Sequence, residues 1–185
     1  QKVSNQLKNK YFASEGNKEN LSFVLKIASK LNLNKAKLLS TLNKFKGLKY
    51  RQQIIYNSKK LKIINDSKST SLSSTKPLLE TYKNIYWLLG GQTKKNDTFN
   101  LNKKYFNNIK AYIYGKNTSF FKRILSNKIK YSIFYNINKS LEIIFKDINK
   151  DQDCKKVLLF SPAAASFDQF QNFEDRGKYF NKIIK

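Results

Sequence analysis

The stretch from Val157 to Phe180 places the strongest constraint on how this chain can fold. It opens with four apolar residues, Val157 to Phe160, which is the length of one buried strand. Ser161-Pro162 ends that strand, because proline cannot donate a hydrogen bond to a β-ladder. Small residues follow, and phenylalanines then recur at spacings near three, four and seven, which predicts one face of a helix. The order strand, small-residue turn, helix is typical of an α/β domain.

The turn within this stretch is a candidate binding site. Ser166 and Asp168 are residues that favour helix N-caps, so we expect the helix to begin beside them. Unpaired backbone N–H groups at the start of a helix attract anions. A plain strand-to-helix joint inside an α/β core is the alternative, and the residue pattern alone leaves both interpretations open.

Short apolar runs that end in glycine or polar residues predict the strands of the rest of the chain. The hairpin turn falls at residues 57–60, between the first two runs. In chain order, the predicted strands are 50–56, 61–64, 84–91, 109–115, 128–135 and 157–160. Helical patterns separate the later runs. This order predicts a largely parallel, doubly wound, Rossmann-like α/β sheet with an antiparallel strand at its edge.

The first 47 residues contain helical patterns and no strand pattern. Residues 18–31 carry a broad apolar face and have Asn17 as a candidate N-cap, which predicts a fairly buried helix; a second helical run covers 35–45. Two short helices do not make a domain. We therefore expect residues 1–47 to be the end of one domain and 48–185 to be another. Since the chain contains no methionine, we expect it to be part of a longer protein.

The charge of this chain admits two interpretations. Its formal net charge is +25, yet only three of its basic residues are arginines and the lysines are spread evenly. Nucleic-acid surfaces favour clustered arginines, because the planar guanidinium makes paired contacts to bases and phosphates. We therefore favour a solvated lysine coat. A basic RNA-binding module remains the alternative, and its binding would weaken steeply with salt.

Cysteine and histidine usage bounds the chemistry. The chain has one cysteine, Cys154, and no histidine. It therefore forms no internal disulfide, which fits a reducing, cytoplasmic compartment. A zinc site is nearly excluded for the same reason, and we expect no metal ligands in this chain. Its apolar runs are all too short to span a membrane.

Two polar segments follow predicted strands, at the position where open α/β sheets bind ligands. They are NDSKST, residues 65–70, and GGQTK, residues 90–94. Paired glycines let a backbone approach a ligand closely, and Lys94 is suited to a carboxylate or phosphate. The alternatives are a capped helix start, with Asp66, Ser67 or Thr70 as the cap, and a tight turn followed by a solvated lysine.

Together, these segments resemble the Mur ligase family. SPAAASFDQFQNFEDRGKYF is similar to the family's C-terminal signature, NDSKST to its NDSKAT-type motif, and GGQTK to its GG-x-x-K segment. The sequence FKGL, residues 45–48, is similar to the end of the family's central domain. The resemblance implies that residues 1–47 end that ATP-binding domain and that 48–185 form the amino-acid-binding C-terminal domain.

The resemblance also implies an activity. Members of the family use ATP and Mg²⁺ to phosphorylate the carboxylate of a UDP-linked muramoyl substrate, and the amine of an amino acid then attacks the acyl phosphate. The residues of the C-terminal signature imply D-glutamate as the amino acid and UDP-N-acetylmuramoyl-L-alanine as the acceptor. The implied pathway is the cytoplasmic synthesis of peptidoglycan precursors. A related ligase that adds a different amino acid is kept as an alternative.

The resemblance assigns a D-glutamate pocket to five residues. Lys94 would pair with a carboxylate, Thr70 and Ser166 would donate hydrogen bonds, and Phe167 and Phe173 would form the walls.

Four further residues receive roles beside this pocket. Lys68 would be the catalytic cation at the phosphate or carboxylate side. Arg51 and Asp66 would contact the nucleotide as the domains close, and Asn17 would lie at the adenine. The family places its metal ligands in the central domain, so the upstream domains of the same polypeptide are the expected partners.

The chain has no G-x-x-x-x-G-K-[ST] phosphate loop. We therefore predict that the 185-residue chain alone shows no D-glutamate-dependent ATP turnover. Phosphate release by the purified chain, given ATP, Mg²⁺, UDP-N-acetylmuramoyl-L-alanine and D-glutamate, measures this. Turnover above the rate without D-glutamate would contradict the prediction.

Overall fold

The computed structural model describes residues 6–13, 15–150 and 154–184, and the chain divides into two compact units. These units are Gln1–Gly47 and Leu48–Lys185. The boundary lies at Gly47, whose φ of +82° is readily adopted only by glycine. Their assignment to two ligase domains stays a prediction.

The N-terminal unit is helical in its described part. A 3-10 helix, Lys10–Ala13, precedes α1, Glu15–Lys30, and α2, Lys35–Lys44. The side chain of Asn34 caps α2 by accepting a hydrogen bond from the backbone N–H of Lys37. None of the described helices in either unit is long and apolar enough to cross a membrane.

Two expectations for α1 are wrong. Asn17 lies inside the helix instead of capping it, and its side-chain amide donates to the backbone carbonyl of Tyr11 at 2.7 Å. The apolar face is also only partly buried: Leu21 and Ala28 are buried, but large apolar side chains beside them are exposed. Those exposed side chains are Phe23, Val24, Ile27 and Leu31. The apolar periodicity predicts an apolar face on the helix, but it does not predict which part of the protein covers that face.

The C-terminal unit is a six-stranded sheet flanked by helices. Its strands are β1, Gln53–Asn57; β2, Leu61–Asn65; β3, Ile85–Gly90; β4, Ile109–Tyr114; β5, Lys130–Phe134; and β6, Lys156–Phe160. Its helices are α3, Leu72–Thr81; α4, Thr118–Leu125; α5, Ile137–Lys150; and α6, Phe173–Ile183, with a 3-10 helix at Lys103–Asn108.

The strand order of the sheet is β1-β2-β6-β3-β4-β5. Only β1 and β2 pair antiparallel, and every other neighbouring pair is parallel. This confirms the predicted doubly wound α/β sheet with an antiparallel edge. The strand nearest the C-terminus, β6, lies between β2 and β3: Leu159 is in register with Ile64 on one side and with Trp87 on the other.

Alternating side chains of the strands form two separate cores. In β3, Ile85, Trp87 and Leu89 pack with α3 and α4, while Tyr86 and Leu88 pack with α5 and α6. Every residue of β3 and of β6 is buried, as expected for central strands covered on both faces. Helices therefore cover the two faces and leave the ends of the strands open.

The helix predicted to follow Ser166 begins later than expected. Helix α6 starts at Phe173, where the side chain of Asn172 accepts the backbone N–H three residues on and so caps the helix. Residues 161–172 form an irregular turn instead. Phe167 lies in that turn and is 71% exposed, so it does not belong to the helix's apolar face.

Helix α3 begins at a different cap from the expected ones. Ser71 is its N-cap and forms a capping box with Ser74, in which each side chain accepts the other's backbone N–H. Asp66, Ser67 and Thr70 are therefore not the cap and remain in the loop before the helix.

We predict that Gly91→Ala destabilises the C-terminal unit. Gly91 has φ +129°, and a Cβ there would lie 2.4 Å from the carbonyl oxygen of Ala165. We expect the free energy of unfolding to fall by about 2 kcal/mol or more, from backbone strain and the clash together. Urea unfolding followed by circular dichroism measures this.

The matched control is Gly16→Ala. A Cβ at Gly16 meets nothing within 4 Å, and its backbone is helical. The control should therefore leave stability unchanged or raise it by about 1 kcal/mol at most. Equal effects of the two substitutions would contradict the close approach at Gly91.

Candidate functional site

The three segments singled out in the sequence leave the same edge of the sheet. Strands β2, β6 and β3 are neighbours and parallel, so the loops that follow them are adjacent at their carboxyl ends. Lys68 and Thr70 lie on the loop after β2, Ser166 on the loop after β6, and Lys94 on the loop after β3.

A short bridge joins the loops after β3 and β6. The backbone N–H of Gln92 donates to the carbonyl of Ala165 at 2.9 Å, and the N–H of Ala165 donates back to Gln92 at 2.8 Å. Gly91 makes this approach possible, because any side chain there would meet Ala165. Lys94 and Ser166 therefore sit on segments that are bonded directly to each other.

The loop after β2 is fastened to α6. The side-chain amide of Asn65 donates to the carbonyl of Gly177, and the hydroxyl of Ser67 donates to the carbonyl of Phe173, both at 2.8 Å. The ammonium of Lys68 lies 4.2 Å from the centroid of the Phe173 ring, a cation–π contact. Two of the predicted site residues thus touch each other.

Asp66 is the centre of a buried hydrogen-bond network. It is 5% exposed, and its Oδ1 accepts the backbone N–H of Gln52 at 3.0 Å while its Oδ2 accepts the hydroxyl of Ser161 at 2.9 Å. The Ser161 hydroxyl is 2.8 Å from that of Thr75, which also bonds Ser69. Since Ser161 donates its proton to the carboxylate, Thr75 must donate to Ser161. The network ties the loops after β2 and β6 to α3.

Burial raises the pKa of Asp66 to about 6, although the hydrogen bonds from Gln52 and Ser161 and the charge of Arg51 lower it. Both carboxylate oxygens already accept hydrogen bonds within the protein. Asp66 is therefore built into the scaffold of the site, and its predicted contact with a nucleotide stays a prediction.

Arg51 is exposed and held by a strained backbone. Its neighbours Tyr50 and Gln52 have φ of +60° and +48°, a region that costs a non-glycine residue about 1–3 kcal/mol. The Tyr50 carbonyl accepts the N–H of Lys68 at 2.9 Å, and the N–H of Gln52 donates to Asp66. These bonds hold the segment around Arg51 against the loop after β2, where the nucleotide role was predicted.

The predicted pocket residues differ in exposure. Ser166 is 2% exposed, Thr70 and Phe173 are half-buried, and Lys94 and Phe167 are exposed. The hydroxyl positions thus lie deeper in the protein than the lysine that would pair with a carboxylate.

Two further expectations concern the nucleotide and the metal. Asn17 is a buried residue of the N-terminal unit. The other predicted site residues all belong to the C-terminal unit. Among residues 6–13, 15–150 and 154–184, no group of three or more His, Cys, Asp or Glu side chains is arranged to hold a metal ion.

Sequence reasoning missed Arg176, which is 1% exposed. Its Nε donates to the hydroxyl of Ser67 at 3.1 Å, and its Nη2 donates to the Ser67 carbonyl at 2.8 Å. The composition could have pointed to this residue, because arginine is rare in this lysine-rich chain. An arginine kept among so many lysines suggests a need for its fork of parallel N–H donors, which lysine lacks.

The fold is that of the Mur ligases. A solved UDP-N-acetylmuramate-alanine ligase from Thermotoga maritima superposes with a TM-score of 0.60 over 93% of this chain and 39% of its own, at 16% sequence identity. An identity this low shows the fold alone. No family model matches the chain.

Curated relatives of this chain are named UDP-N-acetylmuramoylalanine–D-glutamate ligase. Those of Rickettsia prowazekii and of the Wolbachia of Brugia malayi are 35% and 32% identical to it, over 96% and 91% of its length. A third, from Francisella philomiragia, is 34% identical over 92%. The resemblance to the Mur ligase family is therefore confirmed along nearly the whole chain. The chain spans 40%, 34% and 41% of these three relatives.

The burial of Asp66 predicts a pH-dependent stability. Its folded-state pKa of about 6 lies above the ordinary value of 3.8, so the folded protein binds a proton more tightly than the unfolded chain. The free energy of unfolding should therefore fall, by an amount on the order of 2 kcal/mol, as pH rises from about 4 to about 6, and then level off. Urea unfolding across this range measures it.

Asp66→Asn should remove most of that decline, because the amide still accepts the Gln52 N–H but does not titrate. Glu174→Gln, at an exposed carboxylate, is the control and should keep the wild-type profile. An unchanged profile in Asp66→Asn would contradict the assignment of the slope to Asp66.

Proposed function

We propose that this chain is the amino-acid-binding part of a ligase that adds D-glutamate to UDP-N-acetylmuramoyl-L-alanine in the cytoplasmic synthesis of peptidoglycan precursors. The names of its relatives support this, since the similarity covers more than nine-tenths of the chain. Because the chain spans about two fifths of those relatives, the activity is proposed for a protein that also includes the upstream domains. Residues 1–47 would be the end of its ATP-binding domain.

The observation that carries the proposal is the bridge between Gln92 and Ala165, which sets the Lys94 loop against the Ser166 turn. D-glutamate has two carboxylates, and a lysine and a hydroxyl on joined loops suit them: Lys94 pairs with one as a point charge, and Ser166 donates a hydrogen bond. Thr70 donates from the third loop.

Positioning of the amino acid follows from the remaining contacts. Phe173 and Phe167 form apolar walls that exclude water from the reacting groups. Lys68 is held over the Phe173 ring and places a cation where negative charge develops. Fixed charges of this kind need no rearrangement during the reaction, so they favour the transition state over the bound substrates.

ATP with Mg²⁺, when bound, supplies the phosphoryl group that activates the muramoyl carboxylate. The exposed guanidinium of Arg51 suits a phosphate or ribose contact, and Asp66 would act beside it by fixing the backbone of Gln52. The contact of Asn17 with the adenine stays a prediction from the resemblance. By the family resemblance, the Mg²⁺ ligands would lie in the upstream domains.

Phosphate release by the full-length gene product, given ATP, Mg²⁺, UDP-N-acetylmuramoyl-L-alanine and a panel of amino acids, tests the proposal. We expect stimulation by D-glutamate alone. Lys94→Ala should raise KM for D-glutamate by about tenfold or more, because a carboxylate loses its charged partner. Ser166→Ala should raise it less.

The neighbouring Lys95 provides the control, since it is also exposed and follows Lys94 directly. Lys95→Ala should change KM by less than about twofold. Stimulation by another amino acid would support a ligase activity but would show that its substrate is that amino acid and not D-glutamate. If no amino acid stimulates release, the RNA-binding alternative is measured by the salt dependence of RNA affinity.

A further inference from the structure

The guanidinium of Arg176 is buried beneath the candidate site without a carboxylate bonded to it. Among the described residues, the ion pairs join lysines and glutamates on helix surfaces, and Arg176 takes part in none of them. Tyr114 interacts with it most strongly, and the carboxylate of Asp168 attracts it only through space. Arginine stays protonated in proteins, and burying its charge without a counter-ion is unfavourable. Such a residue is poorly explained by packing alone.

Two of its nitrogens hold one loop. Nε and Nη2 donate to the hydroxyl and the carbonyl of Ser67, so the guanidinium fixes both the side chain and the backbone of that residue. Ser67 directly precedes Lys68, and its hydroxyl also donates to Phe173. The fork therefore sets the position of the loop after β2 relative to the start of α6.

The third nitrogen faces the junction of the other two loops. Nη1 lies 3.1 Å from the point where a Cβ of Gly91 would be, and the Cβ of Ala164 lies 3.3 Å from the same point. Nη1 is buried, and the hydroxyl of Tyr114, which is buried as well, interacts with the guanidinium. Burial raises the pKa of the nearby Tyr114 to about 12, and the charge of Arg176 opposes that rise. One side chain thus bonds one loop of the candidate pocket and lies beside the junction of the other two.

We propose that Arg176 is a positioning residue that sets the affinity for the acidic amino acid by holding the three loops in register. It bonds the loop that carries Lys68 and Thr70, and it lies under the junction of the loops that carry Lys94 and Ser166. The statement about affinity rests on the proposed function. The statement about the loops does not.

Hydrogen exchange in wild type and Arg176→Lys tests the loop part without any substrate. Lysine keeps the charge, but its single nitrogen cannot reproduce the fork to Ser67. The backbone N–H of Ser69 donates within a loop, that of Gln92 donates between two loops, and that of Lys68 donates from its loop to Tyr50. All three should exchange about tenfold faster or more in the variant. Amides of the β4–β5 ladder should keep their wild-type rates.

Arg123→Lys is the matched control. Arg123 is exposed on α4 and contacts the Phe120 ring, so its replacement should leave exchange in all three loops unchanged. Unchanged loop exchange in Arg176→Lys would overturn the positioning role. Faster exchange throughout the sheet would also overturn it, because it would show a general loss of stability.

Steady-state kinetics of the full-length gene product tests the affinity part. In Arg176→Lys we expect KM for D-glutamate to rise about tenfold or more. KM for ATP should rise less, because the Arg51 segment is held to the loop after β2 also by the bond from Gln52 to Asp66. An equal rise in both constants, or none, would overturn the affinity role. A wild-type protein that responds to no amino acid would refute the proposed function, and hydrogen exchange alone would then decide whether Arg176 holds the loops.

Discussion

The pairing of β6 with both β2 and β3 is the constraint on which the rest of this molecule depends. Strand β6 is the last in the chain, yet it supplies the hydrogen-bond partners for two strands that are far from it in the sequence. Without it, the backbone groups of β2 and β3 that face each other would be buried and unpaired, which is costly in a core. The same pairing sets the loops after all three strands at one edge of the sheet.

Polar groups buried beneath that edge then fix the loops to one another. The Asp66 carboxylate, the Ser161 hydroxyl and the Arg176 guanidinium are each almost fully buried, and each bonds a different chain segment. Burying such groups costs free energy, and their hydrogen bonds offset only part of it. The burial of the two apolar cores offsets the rest of this free-energy cost. The result is a rigid frame under side chains that are themselves partly exposed, such as Lys94.

Much of the fold could be read from the sequence, because each central strand is a short apolar run ended by glycine or a polar residue. The strands and the hairpin follow from that pattern. Helix starts were harder, since several residues compete as caps: Asn172 prevails over Ser166, and Ser71 over Asp66. For the candidate site, the lysines and hydroxyls are proposed from motif resemblance. Arg176 was missed because nothing in a linear pattern shows that a charged residue is buried.

The sequence by itself determined the secondary structure of the sheet, the class of fold and the segments of the candidate site. These follow from local properties, namely apolar periodicity, chain-breaking residues and short motifs. Only the tertiary structure decided which segments touch, that Gln92 bonds Ala165, and that Arg176 lies below Gly91. The physical reason is that these contacts join residues far apart in the sequence, such as Ser67 and Arg176, which lie 109 positions apart. They depend on strand order and side-chain burial, which local pattern does not encode.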